Sequence, residues 1–550
     1  MDQSATNGAA GLPRFRLPAL RAPLQTALIV AVAYFVGAET AFFIGTLSDE
    51  IFAPFWPPNV ILFCAFVVVP ERRWWTVIAA AFPAHVAAEL TIGMSAGQIV
   101  VAFATNVAVA VLNTAALRRL AGPRPWLTDL RKTAVYVLVT AGVAPALVAL
   151  AGAFVQITGG GAVEKYWLYW TYWFVSNALS SLTLGPVFLS WTSDSPKSSG
   201  FAQFRHKAEA SILGAALVVV CTLAFEASAG KVGSGFLPAI LYSPLPLILW
   251  ATIRFGAKGA STGILIVTVA LTWRALKGPS LFIGDDPETN VLALQVFLIG
   301  LSVPVLLLGA ALDGLRHAGE TMRALTGSVL TAQDEERRRI ARELHDSTGQ
   351  NLIAASMLIA RITKMLPDAA APVATQLDGM VQQSIHELRT MSYVLHPPLL
   401  DEAGLKLALQ HYVDGFCERS GLTVDLDISP EFERLQPDVE LTLFRVVQEA
   451  LTNVSRHSDS ATAEIRLGRG VIAGDPKVIL TIQNAVRRFY RPLGFSGLVA
   501  RRLSRKDGIG LASMRERLHQ IGGSLDIDFG PEKTTVRAIA PFVDHEPQGG

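Results

Sequence analysis

One set of side chains near the end of the chain has the types and spacing of a magnesium–phosphate site. Glu449 and Asn453, followed by Arg456 or His457, recur at four and then at three or four residues, so they share one face of a helix. Oxygen ligands and a cation along one face suit Mg²⁺ together with phosphate. The same spacing also occurs on solvated helix faces, so the surrounding elements have to decide between the two.

A pair of glycines further along could bring backbone N–H groups close to a phosphate. Gly508 and Gly510 stand directly before a helical pattern. Because glycine has no Cβ, the backbone can approach an anion closely at a helix N-terminus. The Gly-x-Gly pattern is a weak signal by itself.

A third set lies beside an apolar stripe that repeats at three and four residues. His345 is followed by Asp346, and Gln350 comes one helical turn after that carboxylate. A histidine beside an aspartate is by itself most often a polar surface pair. A second helix is predicted over about 373–396, and two such helices from each of two chains make a four-helix bundle. The stripe comprises Ala341, Leu344, Thr348, Leu352, Ala355, Ile359, Ile362 and Leu366.

The segments that flank these residues have clear periodicities. Before His345, the residues Leu315, Met322 and Val329 recur every seven positions and Ile340 follows after eleven. This spacing predicts a parallel coiled coil with a stutter, which could carry a rotation or piston movement along the chain. Residues 401–541 alternate between helix and strand patterns, with a helix around 437–457. Strands are predicted at 422–428, 461–467, 477–483, 524–529 and 534–541.

The charge distribution separates the chain into two halves. Residues 1–312 hold 33 Asp, Glu, Lys and Arg, about 11%, whereas residues 313–550 hold 59, about 25%. Only the second value is usual for a soluble protein. The formal net charge of +2 gives no indication of direct nucleic-acid binding. Ten apolar segments could cross a bilayer: 25–46, 51–70, 74–93, 97–117, 133–155, 166–192, 210–229, 236–254, 258–275 and 290–312.

The sidedness of these segments follows from the basic residues between them. Lys and Arg cluster before the first segment and in alternate loops, at 72–73, 118–132, 197–207 and 254–258. The positive-inside rule therefore places the N-terminus in the cytoplasm, and an even number of spans returns the polar half there. Ten spans fit the alternation, and eight keep the same sidedness if the second and ninth segments pair or re-enter.

A few ionisable residues lie inside the apolar segments, among them Glu39, His85, Glu89 and Glu226. An ionisable group at membrane depth costs several kcal/mol unless it is paired or hydrated. Glu39 and the His85/Glu89 pair are therefore candidates for sensing a ligand or a proton. Hydrogen bonding between helices is the alternative for the same residues.

The aromatic residues of the apolar half carry a first resemblance. The run Phe55-Trp-Pro-Pro-Asn59 opens the second segment, and 166–173 is rich in Trp and Tyr. Together they resemble the multi-pass integral-membrane sensor domain found on bacterial histidine kinases and diguanylate cyclases. The resemblance covers about 25–312. The same aromatic residues would also form a belt at the membrane interface.

The run Glu343-Leu-His-Asp346, with Gln350 four residues later, carries a second resemblance. It is similar to the phosphoacceptor box of histidine kinases of the nitrate/nitrite and hexose-phosphate sensor class, and every position of that motif matches. The resemblance implies that His345 takes a phosphoryl group, that Asp346 polarises the imidazole, and that Gln350 positions water for hydrolysis of the partner's aspartyl-phosphate. Residues 396–405 match the family's connection to its catalytic domain.

Residues 401–541 resemble the ATP-binding domain shared by histidine kinases, gyrase and the heat-shock chaperone. The resemblance implies that Asn453 ligates Mg²⁺, that Glu449 helps to polarise the reacting groups, and that Arg456 and His457 stand near phosphate. It also identifies the segment from Asp507 to Arg517, with the glycines at 522–523, as the second glycine box. Further implied nucleotide contacts are Gly508, Gly510, Thr534 and Thr535.

One box departs from that family's pattern. Asn484 stands where the family has an Asp for the adenine amino group, and Val486 and Arg488 replace two glycines. Asn can accept the same hydrogen bond without the charge, whereas Val486 and Arg488 add bulk next to the base. The basic segment over 490–506 either attracts phosphate or is a solvated loop. ATP affinity is therefore left open at this point.

The sequence predicts a multi-domain sensor histidine kinase of a two-component system in the bacterial inner membrane, with both termini cytoplasmic. It would use ATP and Mg²⁺ and pass its phosphoryl group to a response regulator with a helix-turn-helix output domain. The predicted fold is a polytopic α-helical membrane domain, a dimeric four-helix-bundle phosphoacceptor domain and an α/β-sandwich ATPase domain. Alternatives are a nucleotide-impaired member acting as a phosphatase or a trans-phosphorylated subunit, and a transporter with a regulatory tail. The predicted boundaries are 1–24 (tail), 25–312 (membrane), 313–335 (coiled coil), 336–400 (phosphoacceptor), 401–541 (ATP-binding) and 542–550 (tail).

Overall fold

The computed structural model describes residues 23–46, 54–192, 201–229, 242–275, 287–365, 371–430, 432–458, 460–472, 474–485, 509–530 and 533–542. The chain divides into two compact units, Met1–Ala318 and Gly319–Gly550. Each unit has its own hydrophobic core.

The first unit consists of helices joined by turns. They are α1 Pro23–Thr46, α2 Pro57–Val68, α3 Trp74–Thr91, α4 Ala96–Leu120, α5 Leu130–Val137, α6 Ala144–Thr158, α7 Tyr166–Trp191, α8 Phe201–Ala229, α9 Leu245–Ala275 and the first part of α10 Pro287–Glu343. A π-helical turn, Leu138–Val143, joins α5 to α6. Apolar side chains such as Leu28 and Val32 are exposed, whereas Tyr34 is buried. This is the pattern of a helix that faces lipid on one side and protein on the other.

Five helical stretches of the described residues are long and apolar enough to cross a membrane: Leu24–Gly45, Ala96–Leu120, Leu130–Thr158, Leu245–Trp273 and Thr289–Thr363. The prediction of a helical, membrane-type N-terminal region is confirmed. Each of the ten predicted segments overlaps a helix. The count of ten spans stays a prediction, because α2 has only 12 residues, fewer than the roughly 20 that a span needs.

Gly256 interrupts α9 between the predicted eighth and ninth segments. Its φ of 61° is left-handed, a conformation that glycine adopts without a steric penalty. Asp313 of α10 accepts a hydrogen bond from the Ala257 N–H at 2.8 Å. That carboxylate supplies an acceptor at the N-terminus of the second half of α9, where free N–H groups need one.

The second unit starts with the rest of α10, which continues through a π-helical turn, Leu344–Gly349, into α11 Gln350–Thr363. An antiparallel partner, α12 Ala371–Leu395, packs against α11. The predicted stripe is only partly buried in one chain: Ala341 is buried, whereas Thr348 and Ile362 are exposed. The heptad residues Met322 and Val329 are also exposed.

The remainder of the second unit is a sheet covered by helices. Its elements are α13 Pro398–Ala403, α14 Leu405–Ser420, β1 Thr423–Ile428, α15 Pro437–His457, β2 Thr462–Ile472, β3 Asp475–Ala485, α16 Ile509–Gln520, β4 Ser524–Phe529 and β5 Lys533–Pro541. The strand order is β1-β2-β3-β5-β4; β1 and β2 are parallel and the other pairs are antiparallel. All five predicted strands and the predicted 437–457 helix are confirmed.

The core of this unit lies between the sheet and its helices. Alternate residues of β3, Val478, Leu480 and Ile482, are buried together with Leu443 and Val447 of α15. Burying large aliphatic side chains of this kind stabilises a fold by roughly 1.5–3 kcal/mol each. The helix-covered face of the sheet is therefore fixed, and with it the direction of every other residue in β3 and β5.

Candidate functional site

His345 lies in the π-helical turn and is exposed to solvent, as are Asp346 and Gln350. Within the described residues, the structure records no hydrogen bond from any of these three side chains. π-helical turns are rare and are frequent at functional sites. The turn is supported on one side by α12, since a Cβ at Gly349 would lie 3.6 Å from Leu388. The imidazole of His345 is thus accessible to solvent, on a turn that packs against α12.

A buried charge cluster forms around Asp334, eleven residues before His345 in the sequence. Asp334 of α10 forms ion pairs with Arg445 of α15, at 3.0 Å, and with Arg517 of α16. The three side chains are about nine-tenths buried or more. Arg445 also donates to the carbonyl of Leu395, the last residue of α12, at 2.8 Å. One carboxylate therefore connects α10 to both helices that carry the predicted nucleotide-binding residues.

The surroundings of the cluster lower the pKa values of its two arginines. Burial, together with the nearby charge of Arg337, lowers the pKa of Arg445 to about 10. Burial also lowers the pKa of Arg517. Because about 10 is still far above neutral pH, the guanidinium of Arg445 stays charged and needs the carboxylate of Asp334.

A second contact ties α10 to the segment after α12. Arg338 donates to Asp401 Oδ2 at 2.8 Å, and His396 Nε2 lies 3.1 Å from the same oxygen. Burial raises the pKa of Asp401, but the hydrogen bonds and charges of His396 and Arg338 outweigh it and lower that pKa below its ordinary value. The 396–405 connection is therefore ordered around one carboxylate.

The helix α15 positions the predicted magnesium and phosphate residues. Its apolar face, including Leu443 and Val447, packs into the core. Glu449 and Asn453 are half-buried on the remaining surface, and Arg456 and His457 are exposed in the last turn. Cations at a helix C-terminus are favoured by the helix dipole, so these two residues also have a structural role.

The second glycine box meets α15 directly. Gly510 lies in the first turn of α16, and a Cβ added there would overlap Glu449 Oε1. The structure therefore brings together Glu449 and Gly510, which are 61 positions apart. Gly508, Val486 and Arg488 lie outside the described residues, as does the 490–506 segment.

Asn484 occupies the end of β3 on the helix-covered face and is buried. Its Nδ2 donates to Ser458 Oγ at 2.9 Å, directly after α15. The register pairs Asn484 with Thr534 of β5, and directly opposite residues of two strands point to the same face. Asn484 and Thr534 are thus neighbours.

Thr535, unlike Thr534, does not lie on the same face of the sheet as Asn484. It is paired with Gln483, and alternation turns it to the face opposite Thr534. The register puts Thr535 on the face away from Asn484, and its contact with nucleotide stays a prediction. Thr534 alone shares a face with Asn484.

The described residues fit ATP with Mg²⁺. The Asn453 amide and the Glu449 carboxylate supply the oxygen donors that Mg²⁺ prefers. Gly510 lies in the first turn of α16, and the free backbone N–H groups at a helix N-terminus suit phosphate. Since Nδ2 of Asn484 is used by Ser458, its Oδ1 is left to accept from an amine.

Sequence reasoning missed the cluster of Asp334, Arg445 and Arg517. The one available signal was Arg445, a charge between the apolar residues Phe444 and Val446 in the buried face of a helix. A charge in such a position is almost always paired. Nothing in the sequence says that its partner is Asp334, which lies 111 positions earlier.

Comparisons with known proteins agree with this organisation. A family model described as MASE1 matches residues 24–314, and one described as Histidine kinase matches residues 336–400. The chain is 31% identical over 236 residues to the sensor histidine kinase MctS of Rhizobium johnstonii, covering 42% of this chain and 49% of the relative. It is 31% identical over 245 residues to the signal transduction histidine-protein kinase/phosphatase DegS of Brevibacillus brevis, covering 42% and 59%.

The chain therefore spans about half the length of the curated relatives it matches. Among solved structures, the chain is similar to the histidine kinase domain of a blue-light-activated histidine kinase from Erythrobacter litoralis. The matched region covers 35% of this chain and 94% of that domain's chain. The TM-score of that similarity is 0.22, at 15% sequence identity.

Proposed function

The chain belongs to the MASE1 family through residues 24–314, and we propose that it is a membrane-bound sensor histidine kinase of a two-component system. The observation that carries the proposal is the exposed His345 in the segment that the histidine kinase model matches. The residues that fit ATP lie in the same compact unit. Acid-labile labelling of the full-length protein by ATP carrying a labelled γ-phosphate tests it directly.

The proposed reaction proceeds in two transfers. A ring nitrogen of His345, polarised by Asp346, attacks the γ-phosphorus of ATP; the bond to the bridging oxygen breaks and ADP leaves. The phosphoryl group then passes from the imidazole to an aspartate carboxylate of a response regulator, one with a helix-turn-helix output domain. Gln350 positions water for the later hydrolysis of that aspartyl-phosphate.

The nucleotide is held by residues of α15, α16 and the sheet. Mg²⁺, when bound, neutralises charge on the phosphate oxygens, and Asn453 would hold it. Glu449 helps to polarise the reacting groups, and the backbone at Gly508 and Gly510 accommodates phosphate. Arg456 and His457 stand near phosphate, and Asn484 and Thr534 approach the base.

We propose that the protein acts as a homodimer. Large apolar side chains of α11 and α12 are exposed in the single chain, among them Met357, Leu358, Leu377 and Met380. Contiguous exposed apolar surface of this kind marks an interface. A second copy supplies the other two helices of a four-helix bundle, and the exposed heptad residues of α10 extend that interface.

One observation favours a weaker nucleotide site as the second candidate. Asn484 is a neutral amide on the helix-covered face where the resembling family has a carboxylate. A charge-assisted hydrogen bond is roughly twice as strong as a neutral one. Titration of the full-length protein with a non-hydrolysable ATP analogue distinguishes an active kinase from a nucleotide-impaired subunit.

The contact between Gly510 and Glu449 gives a prediction for that titration. Gly510→Ala places a Cβ on Glu449 Oε1, and overpacking of this kind costs about 1–3 kcal/mol. We expect ATP-analogue affinity to fall on the order of tenfold. The matched control is Gly379→Ala in α12, where the added Cβ meets nothing within 4 Å. Equal affinity for the two variants would remove Gly510 from the site.

The proposed topology places both termini in the cytoplasm. Reporter fusions within 120–130 and 195–207 are expected to give a cytoplasmic signal, and fusions within 278–289 an external one. The physical reason is the cluster of Lys and Arg in alternate loops. A cytoplasmic signal from 278–289 would contradict this sidedness.

A further inference from the structure

A closed hydrogen-bond network lies inside the first unit, between α1, α3 and α4. His85 Nε2 lies 3.0 Å from the carbonyl of Ile99, so this nitrogen donates. Asn106 Nδ2 donates to Tyr34 Oη at 2.9 Å, and Tyr34 Oη lies 3.1 Å from His85 Nδ1. When the Tyr34 hydroxyl donates to Nδ1, the imidazole is neutral and both of its nitrogens are hydrogen-bonded.

With a neutral imidazole at His85, Glu89 has no charged partner among the described residues. Its Oε1 is 3.5 Å from His85 Nδ1, but that nitrogen carries no proton in the network above. Its Oε2 has no hydrogen-bond partner among the described residues, and the residue is 2% exposed. A buried carboxylate without a partner is costly, so the site is poised for a group that compensates it.

Glu89 lines a cavity of about 580 Å³. The cavity lies between the C-terminal ends of α1, α3 and α6, the start of α2 and the first halves of α4 and α7. This volume is within the range of small-molecule sites, about 300–1,000 Å³. Gly152 leaves room for the Trp173 ring, which a Cβ at position 152 would overlap. The wall at Trp173 is therefore preformed by helix packing.

Within the part of the chain that the structure describes, the cavity lining combines aromatic rings, unpaired hydrogen-bonding groups and one carboxylate. Phe42, Trp56 and Trp173 supply aromatic rings, and the indole N–H groups of both tryptophans have no partner among the described residues. Asn106 Oδ1 also has none. Glu89 is the one charged residue of the described lining, which contains no Lys or Arg. The lining offers nothing that would neutralise a phosphate or carboxylate ligand.

We propose that this cavity binds a small protonated amine that carries a hydroxyl or carbonyl oxygen. The ammonium pairs with Glu89 and Asn106 Oδ1, and the aromatic faces add cation–π attraction. The ligand oxygen accepts from an indole N–H of Trp56 or Trp173. The claim that this ligand is the signal sensed by the kinase rests on the proposed function. The claim that the cavity binds it does not.

The test uses three molecules with one skeleton and different charges: tyramine, its neutral alcohol analogue tyrosol, and the anion 4-hydroxyphenylacetate. The thermal unfolding midpoint of the detergent-solubilised full-length protein is followed against probe concentration at neutral pH, which yields affinities. We expect tyramine to bind at least about tenfold more tightly than the other two, the value of a charge-assisted hydrogen bond.

Two variants locate the effect. Glu89→Gln keeps the shape and is expected to remove the preference for the cation. Glu164→Gln, the matched control, changes an exposed carboxyl of the same unit that lies outside the described lining, and it is expected to leave tyramine affinity unchanged. The measurement is repeated in His345→Ala, so that amine binding is scored independently of phosphorylation.

Four results would overturn the proposal: no tyramine-dependent shift in the wild-type protein, equal or tighter binding of the anion or of the neutral alcohol, a cation preference that survives Glu89→Gln, or its loss in Glu164→Gln. Binding of tyramine without labelling of His345 would instead reject the proposed kinase and leave the amine site in place.

Discussion

Full-length protein carrying His345→Ala is expected to acquire no acid-labile phosphate from ATP, whereas the wild-type protein is labelled. The loss is complete because the acceptor nitrogen itself is removed. His345 is exposed and outside the buried stripe, so the variant should keep the thermal unfolding midpoint of the wild type. Autoradiography before and after acid treatment measures the effect.

The matched control is His386→Ala, another exposed histidine of the same helical hairpin, on α12. It is expected to retain full labelling. Asp346→Asn should lower labelling without unfolding, because the imidazole loses its polarising carboxylate. Gln350→Ala should spare labelling and slow dephosphorylation of the regulator. Undiminished acid-labile phosphate in His345→Ala would refute the assignment.

Asp334→Ala is expected to destabilise the second unit by about 3–5 kcal/mol, the cost of removing one partner of a buried ion pair. The variant leaves Arg445 and Arg517 charged and largely buried without their carboxylate. Since Asp334 joins α10 to α15 and α16, the residues of α10 after Ala318 should also lose protection against hydrogen exchange. Denaturant unfolding and hydrogen–deuterium exchange of the full-length protein measure these effects.

Glu335→Ala is the matched control, because it removes the neighbouring carboxylate on an exposed position of the same helix. Surface changes of this kind are usually within about 0.5 kcal/mol. If Asp334→Ala and Glu335→Ala proved equally stable, the cluster would contribute nothing to the fold. A larger loss for Asp334→Ala with unchanged exchange along α10 would confine the cluster to local packing.

Local periodicity accounts for the parts of the fold that could be predicted. In β3, alternation of apolar residues identified a strand buried on one face, and the structure confirms it with Val478, Leu480 and Ile482. A period of 3.6 identified α15 at its observed ends, Pro437 and His457. These patterns are readable because each residue's exposure repeats over a few neighbours.

The number of membrane spans is harder to predict from the sequence than the strands and helices of the second unit. The aromatic residues of α7 and the short α2 lower the apolar signal that a span needs. The dimer stripe shows the related limit, since Thr348 and Ile362 are exposed in one chain. A pattern reports that a residue is suited to burial, but it does not say whether the same chain or a second copy covers it.

Motifs and periods are local, so they predicted the family resemblance, the candidate acceptor His345, the order of helices and strands, and the pair Glu449 and Asn453. No local motif predicts that Gly510 abuts Glu449, or that Asn484 pairs with Thr534 while Thr535 faces away; the folded chain shows both. It alone joined Asp334 to Arg445 and Arg517. Pairings between distant residues depend on strand register and helix packing, which follow from the whole core and leave no local periodic trace.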